Sequence, residues 1–240
     1  WSLFSYAPSF NQDVSNFNTS SVTNMGSMFY GATSFNGNVS NFDTSSVTRM
    51  DGMFNGASSF NQDVSSFDTS SVTDMFVMFA DATTFNREVS NFDTSSVTSM
   101  DLMFSKALAF NRDISSWNTS SVTSTSYMFD GATSFNIDIS SWITSRMTSM
   151  SYMFRGASSF NQNLCAWGDD FPYSGAASIF RDSNCTYQDT PLPIIEGSFC
   201  ASSCQPTGST PRCFDDRAEL KLVVDRYISN GCSDESSSYC

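Results

Sequence analysis

The chain has 240 residues, with 24 acidic and 11 basic side chains and no histidine, so its formal net charge at pH 7 is −13. That charge disfavours nucleic acids and anionic membrane surfaces as partners, because phosphate binding needs clustered Lys and Arg. No apolar run reaches the roughly 20 residues of a transmembrane helix, so we expect no membrane span in this segment.

A column of phenylalanines sets the organisation of residues 1–164. Phenylalanine recurs every 25 residues, at Phe10, Phe35, Phe60, Phe85, Phe110, Phe135 and Phe160. A period of this length is typical of arrays in which copies of one supersecondary unit stack on each other. Residues 1–164 are therefore predicted to form a solenoid of about seven coils. Below, a coil is one repeat, and a column is the set of equivalent positions in successive coils.

The coil at residues 47–71 shows which positions face inward. Val47, Met50 and Phe54 recur nearly unchanged in other coils. Stacked coils bury such side chains in ladders, in which an aromatic ring buries about 150–250 Å² and Met fills the gaps. Phe60–Phe67 and Val72–Met75 are predicted to be β-rich, and Met78–Ala82 to form one helical or 3₁₀ turn. The predicted fold class is therefore mainly β.

The repeat Val-Thr-x-Met-x-x-Met-Phe-x-Gly-Ala-x-x-Phe-Asn-x-Asp-Val-Ser-x-Phe/Trp-Asp-Thr-Ser-Ser resembles the BspA-like surface-protein repeat, a short degenerate leucine-rich-repeat type of unknown function. The resemblance covers residues 1–167. It implies a right-handed leucine-rich-repeat-like solenoid on secreted or cell-surface proteins of bacteria and microbial eukaryotes, with roles in adhesion and no catalytic residues. Residues 161–168 and 179–185 resemble the closing cap of family members from algae and related protists.

Three polar columns accompany the apolar ones. The Asn column from Asn11 to Asn161 is predicted to bond the turn backbone of each coil, with a polar ligand track as the alternative. The Asp column at residues 43, 68 and 93 is predicted to form Asx turns, in which the carboxylate accepts from the backbone N–H two residues on. Calcium would also suit these carboxylates, but Asn18, Asn118 and Ile143 interrupt the column, and we expect no cofactor or metal. The third column consists of threonines, namely Thr19, Thr44, Thr69, Thr94, Thr119 and Thr144.

Positions that depart from the repeat are the candidate interaction surface. One column becomes apolar toward its C-terminal end, and two isoleucines replace polar residues in the sixth coil. The half coil at the N-terminal end places Leu and Phe where later coils have Met and Phe, which predicts an open stack end that invites a partner. The alternative for the apolar column is that it lies half-buried under a turn. The predicted interface residues are Val77, Leu102, Tyr127, Tyr152, Ile137, Ile143, Leu3 and Phe4.

The cysteines divide the remaining chain. All seven follow the repeats, at Cys165, Cys185, Cys200, Cys204, Cys213, Cys232 and Cys240. Disulfides, and with them a secreted or extracellular cell-surface location, fit this pattern better than zinc, which would lack histidine ligands. A bridge between Cys165 and Cys185 would close the core, so residues 165–190 are predicted to be a disulfide-closed cap. Residues 191–212 are predicted to be a Pro/Ser/Thr/Cys linker, and residues 213–240 a disulfide-linked tail with a short helix from Asp216 to about Ser229.

Four asparagines begin the pattern Asn-x-Ser/Thr and are N-glycosylation candidates in a secreted eukaryotic chain. They are Asn18, Asn38, Asn118 and Asn184.

Three functions compete, and none of them is enzymatic. Near-identical coils offer no unique pocket, and histidine for general base catalysis is absent from the sequence. The first hypothesis is an extracellular structural protein that assembles head-to-tail or in tandem, with copies of itself or adjacent modules of the same polypeptide, into a cell-surface filament or appendage. The second is an adhesin or ligand-binding module that recognises glycans or cell-surface proteins. The third is ice binding through the threonine column.

Overall fold

The computed structural model describes residues 2–188, 190–191, 198–200 and 202–203. Its 3₁₀ helices are Cys165–Asp170 and Tyr173–Gly175. Strand β1 (Ser198–Phe199) pairs antiparallel with strand β2 (Ser202–Ser203). The predicted tail helix, most of the predicted linker and Cys204, Cys213, Cys232 and Cys240 lie outside the described residues. Within the described ranges, no helix has the length and apolar character needed to cross a membrane.

Successive coils lie on each other in register. Isolated parallel bridges join Asn24, Arg49, Asp74, Ser99, Ser124 and Ser149 in one column. On either side of the bridges, amides donate to carbonyls of the next coil, as Met25 N does to Arg49 O at 3.0 Å and Phe29 N to Met53 O at 2.9 Å. The same bonds recur from coil to coil, and they satisfy backbone groups that would otherwise be buried without partners.

Regular secondary structure within a coil is sparse. Neither Phe60–Phe67 nor Val72–Met75 forms a continuous strand, although Asp74 is a bridge residue. Met78–Ala82 lies in hydrogen-bonded turns, with Ala82 N donating to Phe79 O at 3.1 Å. A mainly β, right-handed, leucine-rich-repeat-like solenoid therefore stays a prediction.

The core runs along the inside of the stack. Phe60 lies between Phe35 and Phe85, with ring centroids 5.9 Å from each, and it stacks on Phe54 of its own coil at 3.9 Å. All four rings are fully buried, which confirms that these columns face inward. Each ring therefore contacts rings of its own coil and of both neighbours, so the ladder joins the coils to each other.

A cap closes the C-terminal end of the stack. Phe154 N donates to Ile179 O at 2.9 Å, and Phe180 stacks on Phe154 at 5.8 Å, so part of a further coil covers the seventh. Phe199 is buried against Phe171, edge to face at 5.0 Å. Residues 198–200 therefore pack with the cap, although the sequence placed them in the linker.

The predicted Cys165–Cys185 bridge is wrong. Cys185 forms a disulfide with Cys200, and Cys165 is disulfide-bonded as well, but not to Cys185. The reason lies in the backbone, because an antiparallel bridge between Tyr187 and Cys200 brings the Cα atoms of Cys185 and Cys200 to 4.5 Å.

Candidate functional site

Among the described residues, the first coil leaves apolar side chains exposed at the N-terminal end of the stack. Leu3 is 62% exposed, Tyr6 75% and Phe17 38%, whereas the next residue of the Phe17 column, Phe42, is 3% exposed. Phe4 is half-buried and stacks on Phe10 at 3.9 Å. Of the interface residues predicted here, Leu3 is thus exposed and Phe4 partly covered.

A cavity of about 480 Å³ opens at this end. Its apolar lining comes from Leu3, Phe17, Val22, Met25 and Met28. Its polar lining comes from Asn16, Asn18, Thr19 and Asn24. Apolar side chains that later coils bury completely therefore line an open cavity in the first coil.

The apolar column lies half-buried on the side of the stack. Val77, Leu102, Tyr127 and Tyr152 have positive φ angles of 49°, 56°, 58° and 58°. This left-handed region disfavours side chains with a Cβ and is an outlier for a β-branched residue such as valine. The column is thus half-buried, as in the alternative that the sequence left open.

An ion pair supports the two tyrosines. Their rings stack at 4.8 Å, and the Arg155 guanidinium lies 5.3 Å from the Tyr127 centroid and 5.1 Å from that of Tyr152. Arg155 donates two hydrogen bonds of 2.7 Å to the buried Asp130 carboxylate. Those bonds raise the pKa of Arg155 above its ordinary value. Sequence reasoning missed this pair, although Asp130 and Arg155 stand at equivalent positions of adjacent coils.

The two isoleucines of the sixth coil differ in exposure. Ile137 is half-buried and packs on the core, whereas Ile143 is 48% exposed. The backbone of Ile143 still bonds the threonine hydroxyl of the preceding coil, as the other members of its column do. Its N–H donates to Thr119 Oγ1 at 2.8 Å, and its carbonyl accepts from the same hydroxyl at 3.0 Å. The substitution therefore changes the surface of the coil without changing its stacking.

The predicted turn chemistry is present. Asp68 Oδ1 accepts from Ser70 Oγ at 2.6 Å and from Ser70 N at 3.0 Å, and the same Asx turn recurs at Asp43 and Asp93. These bonds hold the pKa of the carboxylate below its ordinary range. Among the described residues, no cluster of His, Cys, Asp or Glu could hold a metal ion.

The Asn column is a ladder, in which each side-chain oxygen accepts from the next Asn backbone N–H, as Asn36 Oδ1 does from Asn61 N at 2.9 Å. This arrangement confirms its structural role.

The glycosylation candidates Asn18, Asn38, Asn118 and Asn184 are all exposed. Glycan occupancy at these sites stays a prediction.

The threonine column is not on the surface. Its six members are between 1% and 5% exposed, and Thr44 Oγ1 donates to Asp68 O at 3.0 Å while it accepts from Asp68 N at 2.7 Å. The hydroxyls of this column join one coil to the next, so the column does not present the exposed threonine array on which the ice-binding hypothesis depends.

Comparison with known proteins places the chain in a family. A family model described as "Mycoplasma protein of unknown function, DUF285" matches residues 1–98 and 78–189. The chain belongs to this family. The DUF285 matches include both the open N-terminal end and Cys185 of the cap. No curated protein and no solved structure matches the chain.

Proposed function

We propose that this DUF285 chain is a non-enzymatic extracellular structural module that assembles through its open N-terminal end into a cell-surface filament or appendage. The partners in this assembly are copies of the chain or adjacent modules of the same polypeptide. The resemblance of the repeat to the BspA-like, degenerate leucine-rich-repeat type, and of residues 161–168 and 179–185 to the cap of algal members, supports a surface location. The disulfides of the cap fit an oxidising extracellular compartment.

The proposal rests on the difference in exposure of apolar side chains between the two ends of the stack. At the N-terminal end, Leu3, Tyr6 and Phe17 are exposed, and Leu3 and Phe17 line the cavity. At the C-terminal end, the cap buries Phe180 and Phe199. Contiguous exposed apolar surface marks interaction sites in soluble proteins. The exposed side chains of the first coil are therefore the surface through which we propose that the module associates.

Sedimentation velocity of the full chain across a wide concentration range tests this proposal. The wild type is expected to associate as its concentration rises, whereas a variant with Leu3→Ser, Tyr6→Ser and Phe17→Ser stays monomeric. Leu108→Ser with Ile143→Ser is the matched control, because these side chains are 42% and 48% exposed away from the open end. A wild type that remains monomeric at every concentration would refute self-assembly, and a control that loses association equally would refute its location.

A second candidate function is recognition of glycans through the tyrosine pair. The observation that favours it is the stacked pair of Tyr127 and Tyr152 rings, which lie 4.8 Å apart beside the Arg155 guanidinium. The left-handed backbone of this column is shared by successive coils, from Ser27 and Gly52 to Tyr152, so it belongs to the turn of the repeat. The stacked Tyr127 and Tyr152 rings add phenol hydroxyls to this half-buried surface.

A glycan array tests the second candidate. Tyr127→Ser with Tyr152→Ser is expected to abolish binding, while Tyr187→Ser, which removes a 37% exposed tyrosine of the cap, leaves it unchanged. No binding by the wild-type chain, or equal loss in both variants, counts against a glycan site on this column.

A further inference from the structure

Two tyrosines of adjacent coils lie face to face on the side of the stack. The rings of Tyr127 and Tyr152 stack at 4.8 Å, with 16° between the ring planes. We propose that these two side chains are a site of oxidative coupling to dityrosine, which joins two coils of one chain through a carbon–carbon bond. The oxidant is hydrogen peroxide, used by a haem peroxidase. This inference depends neither on assembly through the N-terminal end nor on glycan recognition.

The backbone holds the two tyrosines at equivalent positions. Both have φ 58°. Tyr127 N donates to Ser151 O at 2.9 Å, and Tyr152 N donates to Ala177 O at the same distance. The carbonyl of each tyrosine accepts from the amide three residues on, at 3.1 Å. Because each tyrosine is held through both its amide and its carbonyl, the two side chains leave equivalent turns and remain side by side.

The tyrosine rings also lie closer to each other than the core rings of the same two coils. Phe129 and Phe154 are 5.7 Å apart, so the tyrosine rings lean toward each other on the surface. The Arg155 guanidinium contacts both tyrosine rings, at 5.3 and 5.1 Å from their centroids, and Asp130 holds it with two bonds of 2.7 Å. Reacting groups held in this way couple far faster than free partners in solution.

Solvent reaches this pair, unlike the core rings. Tyr127 and Tyr152 are half-buried, whereas Phe129 and Phe154 are fully buried. Tyrosine also differs from phenylalanine by its phenol O–H, from which an oxidant can remove one electron and one proton. The pair therefore combines an oxidisable group, access for the oxidant and a partner ring in contact.

The coupling balances with one hydrogen peroxide. Each phenol gives one electron to the oxidised haem of the peroxidase and one proton to solvent, which leaves a phenoxyl radical on each ring. The radicals combine in a bond between the ring carbons next to the hydroxyl-bearing carbons. These carbons then lose their hydrogens as protons, and the two oxygens take up protons again. Overall, two electrons and two protons reduce hydrogen peroxide to two water molecules.

A link at this position supplies a covalent bond that the cysteines cannot supply. All seven cysteines follow residue 164, so no disulfide joins two coils within residues 1–164. Tyr127 and Tyr152 are 25 residues apart, and their coupling closes a loop of one coil. A cross-link of this kind restricts the unfolded chain and thereby stabilises the folded one.

Peptide mapping of the oxidised full chain tests the site. The chain is treated with a haem peroxidase and hydrogen peroxide, and the monomer is isolated under denaturing and reducing conditions. Trypsin cleaves after Arg112, Arg146 and Arg155, which puts the two tyrosines in separate peptides, residues 113–146 and 147–155. We expect these peptides to be joined, with dityrosine fluorescence and a mass lower than their sum by two hydrogen atoms.

Conservative variants show which tyrosines form the link. Tyr127→Phe and Tyr152→Phe each keep a ring in the stack but lose the phenol, so each abolishes the joined peptide. Tyr187→Phe, at a 37% exposed tyrosine of the cap, is the matched control and leaves its yield unchanged. Tyr6 and Tyr30 are 5.0 Å apart and tilted by 59°. They share one tryptic peptide, so mapping distinguishes a link between them.

Thermal melts measure what the link does. After removal of the peroxidase, the oxidised wild type is expected to melt about 5–10 °C above the untreated chain, and oxidised Tyr127→Phe is expected to gain nothing. Equal gains in both chains would overturn the stabilising role of the link. Absence of the joined peptide from the wild-type monomer, or its presence only in covalent dimers, overturns the inference itself.

Discussion

The ring ladder predicts how the cost of a single substitution depends on position along the stack. Phe85 is fully buried, with ring centroids of Phe79, Phe60 and Phe110 at 4.1, 5.9 and 6.1 Å. Phe10 belongs to the same column at the open end and is half-buried. Replacing each by alanine therefore removes the same ring from two different surroundings.

The expected magnitudes follow from burial. A buried aromatic ring covers about 150–250 Å², which at about 25 cal/mol per Å² corresponds to roughly 4–6 kcal/mol. Measured Phe→Ala substitutions in cores cost about 3–5 kcal/mol. We expect Phe85→Ala to lower the free energy of unfolding within that range. Phe10→Ala should cost roughly half as much, about 2 kcal/mol, because solvent already reaches its ring.

Guanidinium unfolding followed by tryptophan fluorescence measures both values. Trp117 and Trp142 are suitable reporters, since both are buried and their indole N–H groups donate to Val89 O and Ile114 O at 3.0 and 3.1 Å. Phe76→Ser, at a 41% exposed phenylalanine outside the ladder, is the control and should change stability little. Equal costs for Phe85→Ala and Phe10→Ala, or a cost under about 1 kcal/mol for Phe85→Ala, would refute the reasoning.

Two further predictions concern the turns. Gly131 has φ +67°, and an added Cβ would meet Lys106 Cγ at 3.4 Å and Lys106 Cα at 4.0 Å, which are ordinary contacts, so Gly131→Ala should cost about 1–2 kcal/mol from backbone conformation alone. Lys106 is exposed and has φ 54° in the same column. Thermal melts should therefore show that Lys106→Gly stabilises the protein, because glycine adopts this left-handed backbone without strain. A lower midpoint for Lys106→Gly would contradict the argument from backbone strain. The Ser70 hydroxyl and amide lower the pKa of Asp68 in the folded state. The Asp68 carboxylate therefore contributes its full stabilisation above the unfolded-state pKa of about 3.9. This stabilisation is lost as the pH falls through the lower folded-state pKa. Ser70→Ala should flatten this acid-side loss in unfolding experiments from about pH 5 to 2, and an unchanged slope would show that the turn does not set it.

The sequence alone predicts the core and the Asx turns well, because both depend on side chains that repeat. Phe60 and Met50 belong to apolar columns that recur in successive coils, and both are fully buried. Asp68 precedes Thr-Ser-Ser, and its turn needs only residues within the same coil. Local chemistry and periodicity are sufficient for these features.

Other features depend on contacts between coils, which periodicity does not describe. Thr44 is polar and suggests an exposed column, yet it is buried because the next coil supplies both hydrogen-bond partners. Val77 and Leu102 adopt a left-handed backbone that their own preferences oppose. The Cys185–Cys200 pairing depends on a backbone bridge within the cap. In each case, tertiary contacts override the local preference.

Cryo-electron microscopy of the full chain, at a concentration where sedimentation shows association, tests the central claim most directly. The account predicts particles joined through the end that carries Leu3, Tyr6 and Phe17, with the cap around Cys185 and Cys200 left free at the opposite end. Single unassociated particles, or particles joined through the cap while the N-terminal end stays free, would contradict it.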